Sequence, residues 1–419
     1  MDSTRCVGRV KHLSFLLGLV GSLLLQPSAS EAAFPDARNP PPEGWEGPVF
    51  KLSQRYPRSL PRISNPPWLR FDFANPAEAP QYLNAVLNYC LQGNTATNFA
   101  DVSRNPVRKW YHAPWLHSGS AGREFIHGLT RERPSREGEL GPLHVTDRVQ
   151  NWAVGFYNSR GGYTIGRVWA DEANPDPSKA KFPLHTVSCK LIFTAAPLAE
   201  VPYLEGTLEW EADINRAANA GPRPVLRLLQ LDVSVRDPRA DFTTGWVLGT
   251  FQYQKDASAS SDWWRHLVPV GMMWGNDAPR VLISQPPQEQ WINTTRDPQL
   301  HLGLRDLLNG PIDNPRSSCI ACHGLAQMAM VEDPEPSLPR VPNANASAAT
   351  LQRYLRNIES GEAYSPDYVS LDYSLQLQVG ISNFLEAREM DAGPTGVAPE
   401  SRTGERGPHR TRAILRDDD

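Results

Sequence analysis

Residues 319–323 read Cys-Ile-Ala-Cys-His, a CxxCH motif that is the most specific chemical signal in the sequence. Cys319 and Cys322 are three positions apart on one turn, so each thiol can form a thioether to a vinyl group of haem. The adjacent His323 is then directed at the iron as its proximal ligand. The motif therefore predicts one covalently attached haem c, bound by Cys319, Cys322 and His323, with His323 as the metal ligand.

Other uses of a CxxC pair have less support in the sequence. A zinc site needs four ligands, usually from a second Cys/His pair, but Cys90 and Cys189 are single and distant from the motif. A thioredoxin-like motif should follow a strand in a βαβ unit, and no such pattern precedes residue 319. The sequence favours haem c over zinc, a redox dithiol or a chance match.

The ligand opposite His323 is the functional question, because a low-spin electron carrier needs a second strong ligand, usually methionine or histidine. Met328 and Met330 follow His323 too closely to cross the haem to its other face without difficulty. The remaining candidates are Met272, Met273, Met390, His266 and His301. Met272 and Met273 lie among apolar residues, as methionines that fill a core do. The distal ligand stays open.

Two further groups of residues carry weaker signals. His112, His117 and His127 lie near tryptophans and a tyrosine, but their spacing matches no metal template. Both a ligand or catalytic role and an ordinary loop or core position stay open for them. Cys90 and Cys189 can pair in an oxidising compartment or be two buried free thiols.

The composition restricts the classes of protein to consider. The chain has 419 residues, of which 40% are hydrophobic and 21% charged, so a sizeable core is possible. The 42 basic residues are balanced by 46 acidic ones, which gives no basic footprint for nucleic acid. The 39 prolines favour short strands, turns and loops over long helices.

The N-terminal segment, residues 1–33, predicts export. A basic start precedes an apolar run at 13–25, and small residues follow, which is the layout of a secretory signal peptide. As a helix the run rises roughly 20 Å, less than the ~30 Å hydrocarbon core, which disfavours an uncleaved anchor. We expect a periplasmic or secreted bacterial protein, in an oxidising compartment and without a transmembrane segment after signal cleavage.

The remaining chain divides into four predicted regions. They are a proline-rich arm with a short helix at 34–109, a β-rich haem-binding domain carrying CxxCH at 110–330, a C-terminal loop and helices packing on the haem domain at 331–390, and a disordered tail at 391–419. The predicted helix covers 77–92, where Leu83, Val86, Leu87 and Cys90 share one side at helical spacing.

The predicted fold class is mainly β, an antiparallel sheet or sandwich of α+β type with short helices. It depends on short runs rich in branched and aromatic residues that turn residues separate. These runs lie at 149–158, 161–170, 186–195, 226–235 and 245–254. The covalent haem site is expected near the C-terminal end, held between this β-rich body and the segment that follows.

Three segments in order resemble the β-sheet monohaem c-type cytochromes, namely cytochrome c′-beta and its lysine-cross-linked, hydroxylamine-oxidising relatives. The segments are FPLHTVSCK at 182–190, VRDPRADFTTGWVLGTF at 235–251 and CIACH at 319–323. That family shows an FPDGT-like turn leading into a strand with lysine, then a TGGW-like segment, then CxxCH near the end. The resemblance covers roughly residues 162–324.

The resemblance implies roles for four residues. Cys319 and Cys322 would be the thioether cysteines, His323 the proximal ligand, and Lys190 the lysine of the first strand. A haem-adjacent role for Lys190 and a strand-end lysine that reaches solvent both stay open. The family further implies a five-coordinate haem whose open face binds small diatomic ligands or oxidises small nitrogen compounds.

Three functions follow as alternatives. The first is an exported monohaem c-type cytochrome that exchanges electrons with a redox partner protein. The second is a five-coordinate haem protein that binds small gases or oxidises small nitrogen compounds, which would make it a haem-dependent oxidoreductase. The third is a non-redox exported β-domain in which CxxCH is incidental.

Overall fold

The computed structural model describes residues 53–94, 105–116, 129–211, 224–295, 302–329, 340–343 and 345–392. The described elements all belong to one unit of the chain, 34–419. The predicted signal peptide, the start of the predicted arm and residues 393–419 of the predicted tail lie outside the described residues.

The described strands are mostly short and pair antiparallel. They are β1 (Thr130–Arg131), β2 (Asn151–Tyr157), β3 (Val187–Thr194), β4 (Glu209–Glu211), β5 (Val225–Arg236), β6 (Trp246–Tyr253), β7 (Leu267–Met273), β8 (Gln290–Ile292), β9 (Gln327–Ala329) and β10 (Tyr368–Ser370). One sheet has the order β1-β2-β3-β5-β6-β7-β8, with β4 paired to the start of β5. β9 and β10 form a separate ladder. The prediction of a mainly antiparallel fold is confirmed.

The helices are few and mostly short, as predicted. They are α1 (Ala79–Leu91), α2 (Ser159–Val168), α3 (Ala278–Val281), α4 (Cys319–His323), α5 (Ala348–Tyr354) and α6 (Leu375–Ala392), besides several single 3₁₀ turns. In the part of the chain that the structure describes, none of them has both the length and the apolar character needed to cross a membrane.

Helix α1 covers one face of the main sheet, and the helical spacing had predicted it. Its apolar side is buried, and Leu83 packs so closely on β6 that a Cβ at Gly249 would clash with the leucine Cδ2. A disulfide joins Cys90 of α1 to Cys189 of β3 across 99 residues of chain. The alternative of two free thiols is therefore excluded, and α1 is fixed covalently to the sheet.

The prediction for the run at 161–170 was wrong. It was predicted as a strand, but its residues form most of helix α2. The side chain of Asn158 accepts hydrogen bonds from two backbone N–H groups of the first turn and so caps the helix. Ile165 and Val168 are both buried, one turn apart. The branched and aromatic composition of the run indicated a strand, but the cap and the helical spacing of its buried residues determine a helix.

The two faces of the main sheet differ in chemistry. Lys190, Asp232 and Thr250 are register partners across β3, β5 and β6, so their side chains lie on one face. Their neighbours Cys189 and Val233 are register partners on the opposite face and pack in the same hydrophobic cluster as α1. A row of polar side chains is thus presented on the face away from α1.

Candidate functional site

The CxxCH motif forms helix α4, and its N-terminus is firmly held. The Ser318 hydroxyl accepts a hydrogen bond from the Ala321 N–H at 3.0 Å and donates one to Asn276 at 2.6 Å. Ile320 and Ala321 are buried in the hydrophobic cluster on this side of the sheet. Two residues of the motif therefore anchor the helix, which leaves Cys319, Cys322 and His323 free for chemistry.

A cleft that is partly open to solvent lies between α4 and the polar face of the sheet. We call it the CxxCH cleft. Cys319, Cys322 and His323 line it on one side, and Lys190 and Asp232 line it on the other. The structure therefore brings all three predicted cofactor-binding residues to one cavity.

His323 has the form that a metal ligand requires. Its Nδ1 lies 2.9 Å from the backbone oxygen of Tyr373, and because that oxygen can only accept, Nδ1 carries the proton. Burial lowers the pKa of His323, as does Lys190, although the bond to Tyr373 partly raises it. The imidazole is neutral, and within the described residues its Nε2 makes no hydrogen bond. That nitrogen is the atom left for a metal.

The two thiols are held in their neutral form. Burial, together with the carboxylates of Asp313 and Asp232, raises the pKa of Cys319 well above its usual value. Burial and Asp313 raise the pKa of Cys322 to about 12. Redox dithiols react as the thiolate, which requires a lowered pKa. The described residues contain no group of three or more histidine, cysteine or acidic side chains able to hold a metal ion.

Lys190 forms the centre of the charged wall of the cleft. Its Nζ lies 3.0 Å from a carboxylate oxygen of Glu132, and the two side chains are 29% and 10% exposed. Burial by itself lowers the pKa of Lys190, but Glu132, Asp313 and Asp232 outweigh it, so the pKa lies above its usual value. The lysine that the resemblance singled out therefore lines the cleft as a paired cation.

Asp232 is the group in the cleft that titrates near neutral pH. Burial and the neighbouring Asp313 raise its pKa from 3.8 to about 7, against the opposing effect of Lys190. Its carboxylate accepts hydrogen bonds from Thr250 at 2.9 Å and from Gln230 at 2.8 Å. The cleft therefore holds a carboxyl group that can bind or release a proton close to pH 7.

Replacing Lys190 with methionine is expected to lower the free energy of unfolding by about 2 kcal/mol. The loss is smaller than the roughly 3–5 kcal/mol of a fully buried broken pair, because Lys190 is partly exposed. Urea unfolding measures it. The matched double variant, Lys190→Met with Glu132→Gln, should lose less than Lys190→Met alone, since it leaves no unpaired carboxylate at Glu132. An equal or larger loss in the double variant would contradict the pairing.

Replacing Asp232 with asparagine is expected to remove a pH dependence of stability. Because the folded-state pKa is raised, the proton on Asp232 stabilises the fold fully below about pH 4, and this contribution is lost as the pH rises to about 7. Between these values the wild type should lose stability that Asp232→Asn retains. Urea midpoints at a series of pH values test this, and parallel curves for the two proteins would refute it.

The described candidates for the distal ligand, Met272, Met273 and His266, are not among the residues that line the cleft. Met272 and Met273 are both buried but belong to hydrophobic clusters on opposite sides of the sheet. The ring nitrogens of His266 lie 3.2 and 2.7 Å from the backbone oxygens of Gln254 and Ser260. Among the described residues that line the cleft there is no methionine, and His323 is the one histidine.

The other residues that the sequence suggested as ligands do not line the cleft or lie outside the described residues. His112 is buried, and its backbone oxygen accepts a hydrogen bond from Tyr56. Met328 lies in β9, where Ser382 contacts its sulfur at 4.0 Å. His117, His127, His301 and Met330 lie outside the described residues, as does the side chain of Met390.

Sequence reasoning missed the acidic residues of the cleft, Glu132, Asp232 and Asp313. One signal was present, because Asp232 is an acidic residue inside the otherwise apolar strand run LRLLQLDVSV. A carboxylate in a buried strand is costly unless it is paired or hydrogen-bonded, and it therefore indicates a site. Nothing in the sequence indicated which strand residues would share its face.

Comparisons with known proteins do not assign this chain to a family. A scan against protein-family models gives no match for this chain, and searches of curated proteins and of solved structures give none either. The resemblance to β-sheet monohaem cytochromes therefore stays a prediction.

Proposed function

We propose that this protein is an exported monohaem c-type cytochrome, periplasmic or secreted, whose haem is attached through Cys319 and Cys322 and whose iron is bound by His323. A haem held in this way supplies one-electron redox chemistry at the iron. The first proposed function of this haem is to exchange electrons with a redox partner protein.

One observation carries the proposal. His323 donates from Nδ1 to the Tyr373 backbone oxygen, and its Nε2 makes no hydrogen bond to any described residue, in the cleft that Cys319 and Cys322 also line. A ligand histidine commonly has this arrangement, because the second hydrogen bond selects the tautomer and orients the ring. The neutral thiols support an attachment role over redox dithiol chemistry.

A specific observation favours a second candidate function, small-ligand binding at an open iron position. Apart from His323, the described lining of the cleft holds neither methionine nor histidine, the usual second ligands of an electron carrier. It holds Lys190, Asp232 and Asp313 instead, which can hydrogen-bond a small polar molecule. A haem of this kind would bind small gases or oxidise small nitrogen compounds.

The test is an optical spectrum of protein exported from a bacterium that carries the cytochrome c maturation machinery. We expect haem that remains attached after denaturation, and a ferrous spectrum that changes when CO or NO is added. A six-coordinate low-spin spectrum that CO leaves unchanged would overturn the open position and leave electron transfer. A protein without haem would overturn the proposal and leave the non-redox β-domain.

A further inference from the structure

The turn between β10 and α6 has an unusual backbone. Asp372 and Tyr373 have φ values of +47° and +67°, in the left-handed region that glycine favours. For a bulky residue such as tyrosine this conformation is an outlier, and it persists only where the surrounding structure enforces it. The turn therefore needs a specific restraint.

The carboxylate of Asp372 provides that restraint. One oxygen accepts a hydrogen bond from the Phe182 N–H at 2.6 Å. The other accepts from the indole N–H of Trp246 at 2.9 Å and from the Gly361 N–H at 3.2 Å. The residue is 1% exposed, so no water competes for these bonds. Three donors from outside the turn thus fix the Asp372 side chain, and two of them, Phe182 and Trp246, are distant in sequence.

The same turn meets His323. The backbone oxygen of Tyr373, one residue after Asp372, accepts the Nδ1 proton of the motif histidine at 2.9 Å. Phe182 and Trp246 belong to the segments 182–190 and 235–251, which are far from the CxxCH motif in sequence. Through Asp372 and Tyr373 these segments and the motif are joined by consecutive hydrogen bonds.

We propose that Asp372 is a positioning residue for His323. Its carboxylate holds the left-handed turn so that the Tyr373 carbonyl receives the Nδ1 proton and leaves Nε2 for the metal. This inference rests on the proposed function and extends it to the tuning of the site. A hydrogen bond at Nδ1 makes the imidazole a stronger donor, which stabilises the oxidised iron and lowers the reduction potential.

The test compares midpoint potentials of the purified haem protein and its Asp372→Asn variant. Asparagine tolerates the left-handed backbone, but its NH₂ group cannot accept a hydrogen bond, so one of the donors at Phe182 or Trp246 loses its acceptor. We expect a weaker Nδ1 bond and a reduction equilibrium constant about tenfold larger, which is about 59 mV for one electron.

Asp237→Asn is the matched control. Asp237 is also a buried carboxylate, and it accepts hydrogen bonds from Tyr82 at 3.1 Å and from Arg239 at 2.9 Å, without contact to His323. Its loss should lower the free energy of unfolding and leave the potential unchanged. A purely structural role for Asp372 would give the same pattern in both variants.

Trp246→Phe keeps the test decisive if Asp372→Asn does not fold. It removes the indole N–H that binds Asp372 and should shift the potential in the same direction by a smaller amount. If Asp372→Asn folds and keeps the wild-type reduction potential, the positioning role is overturned while the haem assignment stands. If only Trp246→Phe can be obtained, a wild-type potential in that variant overturns the positioning role in the same way. A wild-type protein without haem would overturn the proposed function and this inference with it.

Discussion

Replacing Cys319 and Cys322 together with alanine is expected to abolish covalent haem attachment. Both thiols line the cleft that His323 shares, and a thioether cannot form without them. Each single variant keeps one thiol and should keep haem through one thioether. Mass spectrometry of the denatured protein and haem staining of a denaturing gel measure the attachment. The experiment uses protein exported from a bacterium that carries the maturation machinery.

The chain offers a matched control in its other cysteine pair. Cys90 and Cys189 form the disulfide on the opposite side of the main sheet, so removing both should leave haem attached to each folded molecule. Haem that survives denaturation in the Cys319/Cys322 double variant would show that other residues hold it. In that case, the assignment of these two cysteines would be wrong.

Replacing Cys90 and Cys189 together with alanine is expected to destabilise the fold by about 4.7 kcal/mol. The disulfide closes a loop across 99 residues, and the chain-entropy model gives this value for a loop of about 100 residues. Without the bond, the chain between the two cysteines gains conformational entropy in the unfolded state, which favours unfolding. Urea unfolding, with the slope of the transition compared between proteins, measures the change.

Reduced wild type separates the covalent bond from packing. Both cysteines are buried, so alanine also removes apolar contacts, whereas reduction breaks the bond and keeps the sulfur atoms. Reduced wild type should lose most of the 4.7 kcal/mol that the chain-entropy model gives. Equal stability of the oxidised and reduced proteins would contradict this account.

Local patterns in the sequence predicted local structure well where one pattern dominated. The helical spacing of Leu83, Val86 and Leu87 predicted α1, and the run at 226–235, rich in branched apolar residues, predicted β5. At 161–170 the composition and the helical spacing disagreed, and the cap from Asn158 formed outside the predicted run. The prediction failed there because a short apolar run fits either element until its flanking residues are considered.

The sequence by itself determined that Cys319, Cys322 and His323 lie together, because the motif is contiguous and one helical turn brings both thiols and the histidine close to one another. Tertiary structure alone decided what surrounds them. Lys190 and Asp232 share a face only through the register of β3 with β5. The Tyr373 carbonyl, 50 residues after His323, reaches the imidazole through a turn that other segments hold in place. Such contacts depend on strand register and long-range packing, which a local pattern of residues does not encode.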